Sequence, residues 1–300
     1  MKRPRVGIVT IKDLLDSQKA SLKNPTVIAE ENLLLELFSD ADIDADRVAW
    51  DDDGVKWSEY DLLLLRSTWN YHIKFESFKK WLHRVSETSQ IVNSFEIISW
   101  NLEKGYLVDL QQKGIPIPNT KIIKKGADVS LKDCFHEVVQ NEEVVIKPTV
   151  AASGRNTHRI HKNEIADYEQ IFAWSIENED MMVQSFVDSV LTKGEVSMVM
   201  IDGTFTHAIL KRASKGEFRV QSDFGGTIEH YEPSEKEIRF AQQICQSLDM
   251  VPSYARVDLV YDGDEPLLSE LELIEPELWF REQRSAAEEL VDHLKQKYFE

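Results

Sequence analysis

Late in the chain, Asp258, Glu270 and Glu272 interrupt two apolar runs, residues 255–261 and 267–274, where carboxylates are out of place. The runs flank Asp262-Gly263-Asp264, a turn signal, so the stretch is expected to form two antiparallel strands. Strand alternation puts Glu270 and Glu272 on one face with Leu271 and Leu273 on the other, and Asp258 can reach the first face from the neighbouring strand. Three carboxylates on one low-dielectric patch repel one another unless a cation neutralises them. Oxygen ligands of this kind suit Mg²⁺, which prefers a few carboxylates plus substrate phosphates to a closed protein cage. The plain alternative is a half-exposed hairpin whose acidic face meets water.

Basic residues in unexpected company come next. Lys147 sits in Val144-Val-Ile-Lys-Pro148, and a lysine in an apolar strand either runs out to a sheet edge or is aimed at an anion. Behind it, Ala151-Ala-Ser-Gly-Arg-Asn-Thr157 allows close backbone approach, and Ser153, Arg155, Asn156 and Thr157 bring donors for phosphate. Arg66-Ser-Thr-Trp-Asn-Tyr-His72 follows the strand-like run 62–65, at the carboxyl end where open α/β sheets bind ligands. Arg66 there is either a bidentate partner for a substrate carboxylate, with Ser67 beside it, or part of a loop anchored by the packing of Trp69 and Tyr71. Taken alone, Lys104, Glu195 and Arg219 read as solvated surface charges. His158 and His161 have H-x-x-H spacing without a third ligand, so no transition-metal site is expected.

The elements that must position these residues follow from patterning. Short apolar runs at 6–10, 43–50, 62–65 and 91–93 alternate with helical stretches at 27–38 and 75–85, which implies a small open α/β sheet over the first third of the chain. A helix at 99–113 leads through Gly114-Ile-Pro-Ile-Pro118 to a strand at 120–123; helices at 131–140 and 167–178 and strands at 144–148 and 181–187 follow. Asp202-Gly203 marks a hairpin between 196–201 and 204–210. Ser234-x-x-Glu237 is a capping box opening a helix, and a last amphipathic helix spans 281–299.

Composition sets outer bounds. At 300 residues the chain has room for two or three lobes. A formal net charge of −18 repels nucleic acid and anionic membranes, which leaves small molecules as the expected partners. Cys134 and Cys245 lie far apart with no C-x-x-C, the basic start runs straight into a strand, and no apolar stretch reaches spanning length. A soluble cytoplasmic protein is expected.

Arg256-Val-Asp258, Glu270-x-Glu272 and Pro276 together resemble the metal-binding signature of the ATP-grasp superfamily, as in glutathione synthetases and D-alanine–D-alanine ligases. Those enzymes show E-x-N at the second element; Glu272 stands here at the Asn position, which keeps a metal site and changes its charge. Lys104 ahead of the G-x-P-x-P segment, Lys147-Pro148 with its small-residue flap, and Lys211 followed by Arg219 and Gly225-Gly226 are similar to the same superfamily in the same order. The flap has fewer glycines than in glutathione synthetases. Arg66–His72 together with Glu270–Pro276 looks most like the cyclo-ligases that close O-ureidoserine to cycloserine.

The resemblance implies an α/β protein with α+β lobes: an ATP-grasp fold with an N-terminal open α/β substrate domain at 1–97, a central lid domain at 98–187 and a metal-binding domain at 188–300. It implies ATP and Mg²⁺, with Mn²⁺ as the alternative metal, held by Asp258, Glu270 and Glu272. Lys104, Lys147, Lys211, Ser153 and Gly154 would meet phosphates. Gln184, Ser185, Phe186 and Val187 would border the adenine, and Glu195, with Asp188 as its rival, the ribose. Arg256 or Arg219 would stabilise an oxyanion, with Arg66, Ser67, Gly225 and Gly226 on the substrate side. The implied activity is an ATP-dependent carboxylate–amine ligase working through an acyl phosphate on a small amino-acid-like molecule, including an intramolecular cyclo-ligase, in a chain able to form a homodimer. The alternatives are an ATP-grasp kinase and a nucleotide-binding protein without turnover.

Overall fold

The structure, a computed structural model, describes residues 3–16, 20, 24–152 and 154–300. Its first sheet is parallel, in the order β2-β1-β3-β4, from β1 (Arg5–Thr10), β2 (Asp44–Ala49), β3 (Leu62–Leu65) and β4 (Gln90–Val92). Strands covered on both faces read as unbroken apolar runs, and Leu62, Leu63, Leu64 and Leu65 are all fully buried. Helix α1 (Pro25–Asp40) packs on one face and α2 (Phe75–Ser86) on the other, the latter through Phe78, Trp81, Leu82 and Val85 at helical spacing.

The expected helix at 99–113 is two helices, α3 (Phe95–Asn101) and α4 (Tyr106–Gln112). Between them the Lys104 amide donates to the Thr149 carbonyl (2.9 Å), so the chain leaves the helical path to meet the neighbouring sheet. That second sheet is antiparallel, β5-β8-β6-β7, built from β5 (Thr120–Ile123), β6 (Glu143–Pro148), β7 (His158–His161) and β8 (Met181–Ser185). Helices α5 (Leu131–Val138) and α6 (Ile165–Asn178) cover one face of it. β7 was read as solvated chain in the sequence, and β8 stops two residues short of its expected end.

The third sheet is antiparallel, β11-β10-β9-β12-β13, with β9 (Glu195–Ile201), β10 (Thr204–Arg212), β11 (Thr227–Tyr231), β12 (Tyr254–Asp262) and β13 (Glu265–Glu272). Against it lie α4 and α7 (Glu235–Gln246), the latter opened by the Ser234/Glu237 capping box. Helix α8 (Arg284–Tyr298) fills the space between the first and third sheets, with Ala286, Ala287, Leu290, Val291 and Leu294 all buried in a core shared by both. Burying side chains of this size stabilises by about 1.5–3 kcal/mol each, so the α8 seam is a strong link between those sheets.

Candidate active site

β12 and β13 supply the charged centre. Asp258 pairs in register with Glu270, and Arg256 with Glu272. Beyond Asp258 the register slips, leaving Ser269 as an extra residue; the bulge lets Leu268 and Leu271 both enter the core while Glu270 and Glu272 keep the other side. That side forms the wall of a cleft of about 720 Å³, within the range of small-molecule sites.

The backbone of the same hairpin is held at its edge and end by neutral hydrogen bonds. Asn93 Nδ2 donates to the Tyr254 and Leu273 carbonyls (both 2.9 Å), and its Oδ1 accepts from the Ser253 amide (2.7 Å). Asn101 Nδ2 donates to the Leu271 carbonyl (2.9 Å) and its Oδ1 accepts from the Leu273 amide (3.0 Å). The Tyr254 hydroxyl donates to the Ile274 carbonyl (2.6 Å).

On the cleft side the bonds are ionic. Arg256 forks onto Asp258, Nε and Nη2 each at 2.9 Å, and Nη2 also bonds Glu272. Lys211 Nζ lies 2.6 Å from Glu195 and 3.1 Å from Asp258, and Lys104 pairs with Glu270. Burial would raise the Asp258 carboxyl, but Arg256 and Lys211 outweigh it and hold the group well below the usual carboxylate range. Glu270 is likewise lowered, burial losing to Lys104 and Lys147. At Glu272 burial wins against Arg256, helped by the charges of Asp258, Glu270 and Glu275, and the pKa rises to about 8. Lys147, also in the cleft wall, makes no ion pair among the described residues, and burial lowers its pKa.

The three carboxylates therefore share a face without converging on one point. Arg256 and Lys104 stand between them, and among the described residues no three carboxylate, imidazole or thiol groups are close enough to hold an ion as they are. Their chemistry nevertheless fits a hard divalent cation: all donors are oxygen, and Glu272, which burial and then its neighbouring carboxylates keep from ionising, would be favoured in its charged form by a bound cation.

Most residues singled out from the sequence line this one cleft: Lys104, Lys147, Gly154, Gln184, Ser185, Phe186, Val187, Glu195, Lys211, Arg219, Gly226, Arg256, Asp258, Glu270 and Glu272. The amides of Ser185 and Phe186 are already committed to the Asn119 and Glu143 carbonyls, at 2.8 and 3.1 Å. Gly154 has φ +66°, and a Cβ there would lie 3.1 Å from Arg219 and 3.2 Å from Phe224, so the flap meets the loop at 217–226 over this residue. Ser153 lies outside the described residues.

Five residues stand differently from expectation. Arg66 does not reach the cleft: it is 5% exposed and Nη2 donates to the Pro276 carbonyl (2.6 Å), so it braces the backbone beyond β13. Ser67 is fully buried between Glu31 and Thr10 Oγ1 (2.6 Å). Gly225 and Asp188 are not part of the cleft wall, whereas Gly226 and Glu195 are. Arg219 is in the wall but is forked onto Glu217, at 2.6 and 3.1 Å, with its guanidinium 3.5 Å over Phe224.

Residues that sequence reasoning passed over also line the cleft, among them Tyr71, Glu275, Trp279 and Arg281. Glu275 follows the end of β13, where strand alternation no longer says which way a side chain points. Tyr71 was credited with packing alone. It does pack, at 5.2 Å from Phe78, and it also faces the cleft.

Comparison with known proteins follows this geometry closely. A family model described as D-cycloserine synthetase DcsG, N-terminal domain, matches residues 6–93. The cycloserine biosynthesis protein DcsG of Streptomyces lavendulae is 27% identical over 256 residues, covering 82% of this chain and 86% of that protein. A glutathione synthetase of Parasynechococcus marenigrum is 30% identical over 139 residues, 45% of this chain and 43% of its own. The crystal structure of D-cycloserine synthetase DcsG shares the fold with a TM-score of 0.85 at 24% identity, covering 98% of this chain and 99% of that one. D-alanine–D-alanine ligase from Bacillus anthracis complexed with ATP does so with a TM-score of 0.68 at 16% identity, covering 98% and 97%. A second family model, described as prokaryotic glutathione synthetase, ATP-grasp domain, matches residues 111–260, half of the sequence, and the chain belongs to this family of ATP-grasp ligases.

Proposed function

We propose that the chain is an ATP-dependent ligase that closes a ring within one small amino acid, joining its carboxylate to an amine of its own side chain. The observation that carries its nucleotide-handling side is a cleft in which Lys147, a half-buried lysine with no ion pair among the described residues, faces the acidic side of the β12–β13 hairpin. The relative named D-cycloserine synthetase points to an O-ureidoserine-like substrate.

In this reading the lobes are 1–97, 98–187 and 188–300, with the second as lid. Lys147 takes a phosphate directly, and Lys104 does so by exchanging Glu270 for it. Gln184–Val187 border the adenine, Glu195 reaches the ribose, and Lys211 moves from Asp258 towards the γ-phosphate. Asp258, Glu270 and Glu272 would hold Mg²⁺, with Mn²⁺ as a substitute. When bound, the metal draws charge from the β- and γ-phosphate oxygens. The substrate carboxylate attacks the γ-phosphorus and ADP leaves. The side-chain nitrogen then attacks the acyl carbon, the bond to phosphate breaks, and the nitrogen gives up a proton; from O-ureidoserine the ring nitrogen still carries a carbamoyl group, which water removes as carbon dioxide and ammonia. Arg256, fixed by both arms on Asp258, is placed for the oxyanion of the tetrahedral intermediate. The flap meeting the 217–226 loop would keep water from the acyl phosphate. Partners are small molecules, with a homodimer as the assembly to check by light scattering.

Enzyme, ATP, Mg²⁺ and O-ureidoserine are expected to release ADP and phosphate, and hydroxylamine added during turnover should trap a hydroxamate. A stable phosphorylated hydroxyl product would show a kinase instead.

A further inference from the structure

Glu275 lies just beyond β13, and the backbone on both sides of it is pinned. The Ile274 carbonyl accepts from the Tyr254 hydroxyl and the Pro276 carbonyl from Arg66 Nη2, each at 2.6 Å. The side chain between them lines the cleft and, among the described residues, makes no hydrogen bond or ion pair to another side chain. Cations are near: Arg256, Lys104 and Arg66 all pull its pKa down. None bonds it, and burial pushes the carboxyl up to about 7. Rigid backbone thus presents a carboxylate that accepts only from its own amide and keeps acceptor capacity for a ligand.

A second observation is independent of that one. Tyr71 is 7% exposed and lines the same cleft, yet its hydroxyl makes no hydrogen bond among the described residues. Glu275 and Tyr71 line the same cleft, so the two groups face one space. We propose that Glu275 and Tyr71 receive the ammonium group of an amino-acid substrate, the nitrogen that takes no part in bond formation. This rests on the ligase reading above and names what that reading leaves open, the part of the substrate that is recognised but does not react.

The chemistry matches. An ammonium carries three donors and no acceptor, and both side chains accept. Its charge neutralises Glu275, which no protein cation bonds. The next carboxylate along the chain, Glu277, is held by Arg281 (2.6 Å), which leaves Glu275 as a single acceptor suited to one ammonium rather than to a divalent metal.

The test uses the full chain with ATP, Mg²⁺ and two probes: O-ureidoserine and its desamino counterpart, which lacks only the α-ammonium. The wild type should prefer the amino acid in kcat/KM. In Glu275→Gln that preference should fall roughly 30-fold, the scale of one hydrogen bond to a charged group, and in Tyr71→Phe by a few-fold. An unchanged preference, with both compounds slowed alike, overturns the assignment and leaves the ligase intact. No ADP release from either compound by the wild type overturns the ligase reading, and the ammonium site with it. ADP binding by each variant shows that it has folded.

Discussion

The frame of one hairpin and its cleft face are built from opposite kinds of polar group. At the edge and end of β12 and β13, Asn93, Asn101 and Tyr254 saturate the backbone with neutral hydrogen bonds of 2.6–3.0 Å. On the cleft face, Arg256, Lys104 and Lys211 share four carboxylates among them, Glu272 is pushed up to about 8, and Lys147 has no ion pair among the described residues. Neutral, satisfied groups fix a shape at little cost in buried charge. Charges left over after internal pairing lower stability unless something from outside completes them. The frame holds the hairpin; the cleft face waits for nucleotide and metal.

The largest test of that contrast is Glu270→Gln. Turnover, read as ADP release, should drop by at least about 10³-fold, close to 4 kcal/mol of transition-state stabilisation, while the protein, less stable because Lys104 loses its carboxylate, still folds and binds ADP. Turnover near the wild-type rate would mean that the cleft face carries no chemistry. In the frame, Asn93→Ala removes three buried hydrogen bonds and should cost about 3 kcal/mol in urea unfolding. The enzyme that remains folded should keep its kcat within a few-fold; a large loss of kcat with unchanged stability would erase the distinction between frame and cleft face.

What the sequence reveals follows the same division. Asp258, Glu270, Glu272 and Lys147 stand out because a charge inside an apolar run breaks an expected pattern, and the cleft contains all of them. Asn93 and Asn101 break no pattern, since polar residues near strand and helix ends are ordinary, and their role exists only once β4, α3 and the hairpin are brought together. The interruption of the helix near Lys104 was hidden for a related reason. Residues 102–105 contain no proline, and the break depends on a carbonyl, that of Thr149, lying far along the chain. Arg66 was legible as a residue of note and misassigned in role, because its partner is a backbone oxygen 210 positions away.

Glu275→Gln sharpens the comparison through pH. The folded carboxyl, raised to about 7 from an ordinary 4.5 chiefly by burial, opposes folding whenever it must ionise. Its contribution to stability is therefore complete below about pH 4.5 and is lost as pH rises through about 7. Glutamine never ionises, so the variant should match the wild type near pH 4.5 and exceed it near pH 8 by about 2 kcal/mol, allowing for partial solvent access. Equal pH profiles would place Glu275 with the satisfied groups instead.

The smallest expected effect separates two lysines of the same cleft. Lys104 neutralises Glu270, so Lys104→Met should destabilise the ligand-free protein by stranding a buried carboxylate. Lys147 neutralises nothing by direct pairing, and burial already disfavours its charge, so Lys147→Met removes a cost and should leave the ligand-free melting temperature equal or slightly higher. The loss must then appear on binding, as about tenfold weaker affinity for ADP by calorimetry, the scale of one charge-assisted hydrogen bond to phosphate. If the two variants melt alike and bind ADP alike, pairing within the protein does not decide which cation is kept for the nucleotide.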